Sequence, residues 1–263
     1  MRIRPFCLLP FALCITAAAC APKRVALPTD TGTLFPDFAA VHKQVASACS
    51  GVRTLRTVLS LRGRVGDERL SGNVHAGFVR PASMRLEGVP PFGQPVFILA
   101  AQGGTGVLLL PRESRVLRGQ PAEAILEALI GVNLAPADLQ AILTGCVVPE
   151  PMATGGHMHA NGWASIDLQG GATLYLRRTS RWEVRAARRD GWQIEYTSGP
   201  SLYPASVRLV ATSSKVPVDL SAGVSELEAN VDLDPAAFPV NVPNDAKPLT
   251  LDELRASGPL RAR

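Results

Sequence analysis

The amino-acid sequence predicts a mainly β fold: one antiparallel, strongly curved sheet of about 11–12 strands, with a short helical pair packed on it. Three observations lead there. Most segments after residue 54 alternate apolar and polar side chains with period two. Glycine-rich turns such as Gly170-Gly171 and Asp190-Gly191 separate several of them. A single stretch, residues 121–145, changes to a helical period and is too apolar to stand alone in water.

The N-terminus comes first. Met1-Arg2-Ile3-Arg4 is a basic head, and Phe6 to Ile15 is an apolar run of about ten residues, too short to span a bilayer and right for a signal-peptide core. Ala17-Ala18-Ala19-Cys20 follows. Small residues before a cysteine resemble the lipobox of bacterial lipoproteins, although Ala17 stands where those chains usually carry Leu. The resemblance implies that residues 1–19 are removed and that Cys20 carries diacylglycerol and a further acyl chain. Two or three chains anchor stably where one holds only marginally. Ala21 rather than Asp after the cysteine implies, by resemblance to enteric bacteria, the outer membrane. An ordinary Ala-x-Ala secretory signal, with Cys20 a bystander, is the other reading.

Residues 20–36, rich in Pro, Thr and Gly and without periodicity, read as a flexible tether. From Asp37 to Ala48 the pattern is helical, with Phe38, Val41, Val45 and Ala48 on one stripe. Residues 54–62, 70–79 and 82–87 then alternate, placing Leu55, Leu59 and Leu61, then Val74, Ala76 and Phe78, then Met84 and Leu86 on the apolar side. Val96–Ala101 and Val107–Leu110 are continuous apolar runs, as in strands covered on both faces, and Arg112–Arg118 is a weaker strand.

Pro121 opens a short helix with Ile125, Leu126, Leu129 and Ile130 on one side. Pro136 suits the first turn of a second, carrying Leu139, Ile142 and Leu143, and Gly145 suits its C-terminal cap. Strands resume at Trp163–Leu168, Ala172–Arg177, Arg181–Ala187, Trp192–Tyr196, Ala205–Ala211 and Ser225–Val231. After a domain spanning 37–245, the tail 246–263 holds a capping box, Thr250 with Glu253, before a short helix.

Charge and chemistry narrow the function classes. The formal net charge of +5 includes Arg2 and Arg4, so the processed chain sits near +3, too mild to point to nucleic acid. Arg177, Arg178, Arg181, Arg185, Arg188 and Arg189 cluster. Trp182, Val184 and Ala186 alternate with charged neighbours there, so the cluster reads as the wet face of a strand, with anionic head groups the alternative partner. Once the leader is gone the cysteines are Cys20, Cys49 and Cys146. An oxidising compartment allows a Cys49–Cys146 bridge, which spacing alone leaves open. His157 and His159 lack the further ligands a zinc site needs and read as part of a solvated loop. With no nucleophile elbow, acid pair, metal set or cofactor fingerprint in view, the expectation is a monomeric non-enzyme without metal or cofactor.

A family resemblance sharpens this. Met84-Arg85-Leu86-Glu87-Gly88-Val89-Pro90-Pro91-Phe92-Gly93 leads into two apolar strands. Gly119-Gln120-Pro121-Ala122-Glu123-Ala124-Ile125, Ile130-Gly131-Val132-Asn133-Leu134, Pro136-Ala137-Asp138-Leu139 and Leu143-Thr144-Gly145 follow. Together with Phe238–Pro243 they resemble the LolA/LolB lipoprotein carriers and receptors, LolB-like chains above all, over residues 50–245. Gln140-Ala141-Ile142 stand where LolB-like chains often carry tryptophans. The resemblance implies an open half-barrel whose apolar concave side, covered by the helical pair, accepts the acyl chains of another lipoprotein or lipid. Leu86, Ile98, Ile125, Leu126, Leu129 and Leu139 are the expected lining. It also implies a membrane-facing loop, here Gly88–Gln94 with Phe92 at its tip, unless Phe92 only caps the core. An accessory envelope lipoprotein that kept the fold without transfer activity is the competing expectation.

Overall fold

The computed structural model describes residues 24–211, 216–257 and 260; Cys20 and the expected leader before it lie outside them. In chain order, β1 (Thr33–Leu34) and α1 (Phe38–Ser50) precede a run of six strands. These are β2 (Thr54–Val65), β3 (Glu68–Val79), β4 (Ser83–Val89), β5 (Phe97–Gln102), β6 (Thr105–Leu110) and β7 (Arg115–Pro121). α2 (Ala122–Ile130) and α3 (Pro136–Thr144) interrupt. Seven strands follow: β8 (Ala153–Met158), β9 (Trp163–Leu168), β10 (Thr173–Arg178), β11 (Trp182–Arg189), β12 (Trp192–Ser198), β13 (Pro204–Ala211) and β14 (Val218–Ala229). β15 (Lys247–Pro248) and α4 (Leu251–Ser257) complete the described chain.

Among the described residues all 15 strands belong to one sheet, ordered β1-β8-β9-β10-β11-β12-β13-β14-β2-β3-β4-β5-β6-β7-β15. It is mostly β, open rather than closed, and antiparallel except where β15 joins β7. Its two edges are two residues long each, which leaves little unpaired backbone to recruit a second sheet. The two blocks meet at β14 and β2, from Val218 opposite Val65 to Ala229 opposite Leu55.

The alternation read from sequence becomes the inner and outer faces of the sheet. In β2, Leu55, Thr57 and Leu59 are buried while Arg56 and Ser60 are exposed; in β3 the buried set is Leu70, Val74, Ala76 and Phe78, and in β4 Met84 and Leu86. The helices form where punctuation predicts. Pro136 occupies the first turn of α3, and Gly145 ends it at φ +91°, a conformation costly for any residue with a Cβ. Ahead of α4, Thr250 Oγ1 accepts from the Glu253 N–H at 3.2 Å and Glu253 Oε2 accepts from the Thr250 N–H at 2.8 Å, a reciprocal capping box.

Three expectations need correction. The strand count is higher, because β1, β8 and β15 are strands where the sequence predicts tether, loop and tail, and β14 begins at Val218, seven residues before the expected Ser225. In β8 the glycines hide the period. Gly156 is there because α1 packs onto it: a Cβ built at that position would lie 2.5 Å from Phe38 Cβ. His157 and His159 accordingly stand at defined positions, His159 Nε2 lying 2.8 Å from Ser165 Oγ. Lastly, residues 24–36 do not hang free. The Val25 N–H donates to Glu195 Oε1 at 2.9 Å, Gln193 Nε2 donates to Val25 O at 3.0 Å, and Phe35 is buried.

Candidate functional site

The concave face of β2, β3, β4, β13 and β14 is largely apolar, and α2 and α3 lie across it. Between helices and sheet is a cavity of about 60 Å³, lined among others by Leu59, Leu86, Leu129, Leu139, Leu209 and Leu220. Ser221 is the single polar residue among the described residues that line it. Filling such a space with hydrocarbon is favourable by roughly 25 cal/mol per Å² removed from water, with only Ser221 to accommodate among polar residues. The cavity therefore suits a methylene chain.

Of the six side chains expected to line it, Leu86, Leu126, Leu129 and Leu139 do. Ile98 does not. Leu86 faces Leu99 across β4 and β5, so Leu99 shares the concave side and Ile98, opposite Glu87, takes the convex one. An unbroken apolar run carries no parity, and the register of the neighbouring strand supplies it. Ile125 is buried but sits away from the cavity, its Cδ1 only 2.7 Å from where a Cβ of Gly106 would be; it wedges α2 onto β6.

The roof is fastened unequally. α3 is held by an ion pair from Asp138 to Arg189 at 2.9 Å, both side chains mostly buried. Arg189 Nη1 also donates to Val147 O at 3.0 Å. Just past the end of α3, Cys146 is disulfide-bonded to Cys49 in the last turn of α1, with Cα atoms 5.7 Å apart. α2 carries no ion pair to the sheet among the bonds described; the Ala122 N–H at its start donates to Gly104 O, in the β5–β6 turn, at 3.2 Å.

The arginine cluster is occupied locally: Arg177 stacks 4.8 Å over Trp163, and Arg185 and Arg181 meet Glu183. Among the described residues no group of three histidines, cysteines or carboxylates could hold a metal. No described helix is long and apolar enough to cross a membrane.

Phe92 is 90% exposed, at the tip of the loop between β4 and β5, so it does not cap the core. That loop emerges at the end of the sheet where β14 begins, since Val218 opposes Val65 at the β2–β3 turn and Val89 opposes Asn73.

No family model matches the chain, and no curated protein matches its sequence. Solved structures do. A LolA superfamily protein from Nitrosomonas europaea is similar with a TM-score of 0.50 at 10% identity, over 76% of this chain and 98% of that one. An outer membrane lipoprotein-sorting protein domain from Vibrio parahaemolyticus gives 0.48 at 9% identity, over 76% and 95%. Identities this low speak for the fold alone.

Proposed function

We propose that this LolA/LolB-like half-barrel is a lipid-anchored protein of the outer membrane's periplasmic face, which takes acyl chains of another lipoprotein or lipid into its cavity and passes them to the membrane. The observation that carries the reading is the aliphatic cavity under α2 and α3. Protein cores are close-packed with few voids, so an apolar space under two helices supports an occupant. On this reading the chain is a carrier or receptor rather than an enzyme, and it works as a monomer.

The anchor is Cys20. Four residues reach at most about 14 Å, so Arg24 cannot lie farther than that from the lipidated residue. The Arg208 guanidinium, hydrogen-bonded to Asp219, holds that carboxyl below its usual range, and the charge of Arg24 adds to the effect. Asp219 is the second residue of β14, at the end of the sheet that also presents Phe92. A short leash and an exposed aromatic at one end of the sheet favour direct contact with a bilayer. Phe92→Glu should accordingly leave the melting temperature within about 1–2 °C of the parent, since surface changes cost little. It should weaken binding of the protein to liposomes several-fold. A large loss of stability with liposome binding intact would remove Phe92 from this role.

The reading is tested by mass spectrometry of lipids that co-purify with the protein released from membranes by Cys20→Ser, prepared without detergent. Stoichiometric acyl lipid is expected, together with loss of fatty-acid labelling in that variant. The small size of the cavity favours the second reading, an accessory envelope lipoprotein of the same fold. Lipid-free protein that takes up no added fatty acid would decide for it.

A further inference from the structure

The cavity is narrow as it stands. Sites that engulf drug-sized molecules measure about 300–1,000 Å³, against about 60 Å³ here. An acyl chain therefore enters only if part of the lining moves. Most of the lining is fixed. β2, β3, β4, β13 and β14 are held by continuous ladders. α3 carries the Asp138–Arg189 pair and lies beside the Cys49–Cys146 bridge. α2 is wedged at Ile125 against Gly106, and the residue that closes it, Gly131, abuts Val65 and Val218.

Leu260 differs. It belongs to neither the sheet nor the helical pair, yet its side chain lines the cavity and is only 5% exposed. The hydrogen bond described for it is one backbone contact, from the Ser71 N–H to Leu260 O at 3.2 Å. Gly72 makes the room: a Cβ built there would stand 3.0 Å from Leu260 Cδ2. Gly72 shares the inner face of β3 with the buried Leu70 and Val74, while Ser71 and Asn73 on either side turn to the exposed convex face. A leucine seated at that glycine adds hydrocarbon to the lining without belonging to the strands or helices that frame it.

We propose that the seat of Leu260, beside Ser71 and Gly72 on β3, is the port of the cavity, and that an acyl chain enters by displacing this side chain. The proposal rests on the acyl-carrier reading and says where the chain goes in. The exchange is physically cheap. Leucine and a methylene chain present the same kind of surface, so one hydrocarbon replaces another at the port without leaving a void. The narrow form also imposes a cost on the ligand, whose apparent affinity falls by the fraction of protein that is open.

The test is titration of the full-length protein with a fluorescent fatty acid, dansyl-undecanoic acid. Leu260→Ala removes most of this side chain. Gly72→Ala leaves the tail intact and presses a methyl group on Leu260 from the sheet side, which guards against a variant that merely folds poorly. Both should bind the probe more tightly, by about tenfold if the parent is in the narrow form nine times in ten. A parent that binds the probe, with both variants binding equally well, would overturn the port and leave the carrier reading standing. If parent and variants alike fail to bind, the carrier reading falls and the port falls with it.

Discussion

Replacing Cys49 and Cys146 together by alanine should lower the stability of the protein by about 2–5 kcal/mol. The bridge spans 97 residues, which places it among the long loops for which restricting the unfolded chain counts most. The two sulfurs are buried with Ala141 in a small cluster of their own, so the substitution also removes packing between α1 and α3. Urea unfolding of parent and variant, each monitored by tryptophan fluorescence, gives the difference directly. The slope of the transition should rise, because the bridged unfolded chain of the parent is the more compact one and exposes less surface. Equal midpoints would mean that the sheet alone holds α3 in place.

Leu126→Ala should be comparably destabilising, by about 2–5 kcal/mol. Leu126 is 1% exposed and points from α2 into the space that α3 and the concave sheet enclose. Truncation removes its hydrocarbon from a packed interior and enlarges a void that already exists, and the cost grows with the void. The same change should increase uptake of an apolar dye, since the space gained is contiguous with the cavity. A loss of less than about 1 kcal/mol with unchanged dye uptake would mean that α2 collapses into the gap, and that the cavity is not maintained by its lining.

The elements legible in the sequence are those whose physics is local. Leu55 and Leu59 against Arg56 and Ser60 mark a strand because period two is a property of one strand's own backbone. Pro136, Gly145 and the Thr250–Glu253 pair mark helix ends because caps involve only neighbouring residues. Even Phe92 could be picked out, since two prolines and a glycine around an aromatic make a stiff turn.

What tertiary structure decided is whatever depends on a partner far along the chain. Ile98 looks as apolar as Leu99, and only the register with β4 turns one inward and the other outward. β8 has no alternation of its own, because Gly155 and Gly156 carry no side chain to alternate; it is a strand because β9 offers it a ladder and α1 needs the room. Residues 24–36 look like a linker until Gln193 and Glu195 bond to their backbone. Cys49 and Cys146, 97 residues apart, are two thiols in the sequence and one bond in the fold. Leu260 is one more leucine in a polar tail, and its place in the cavity follows from a glycine 188 residues earlier. A residue's own chemistry sets which surface it prefers, and the long-range geometry of the sheet sets which surface it meets.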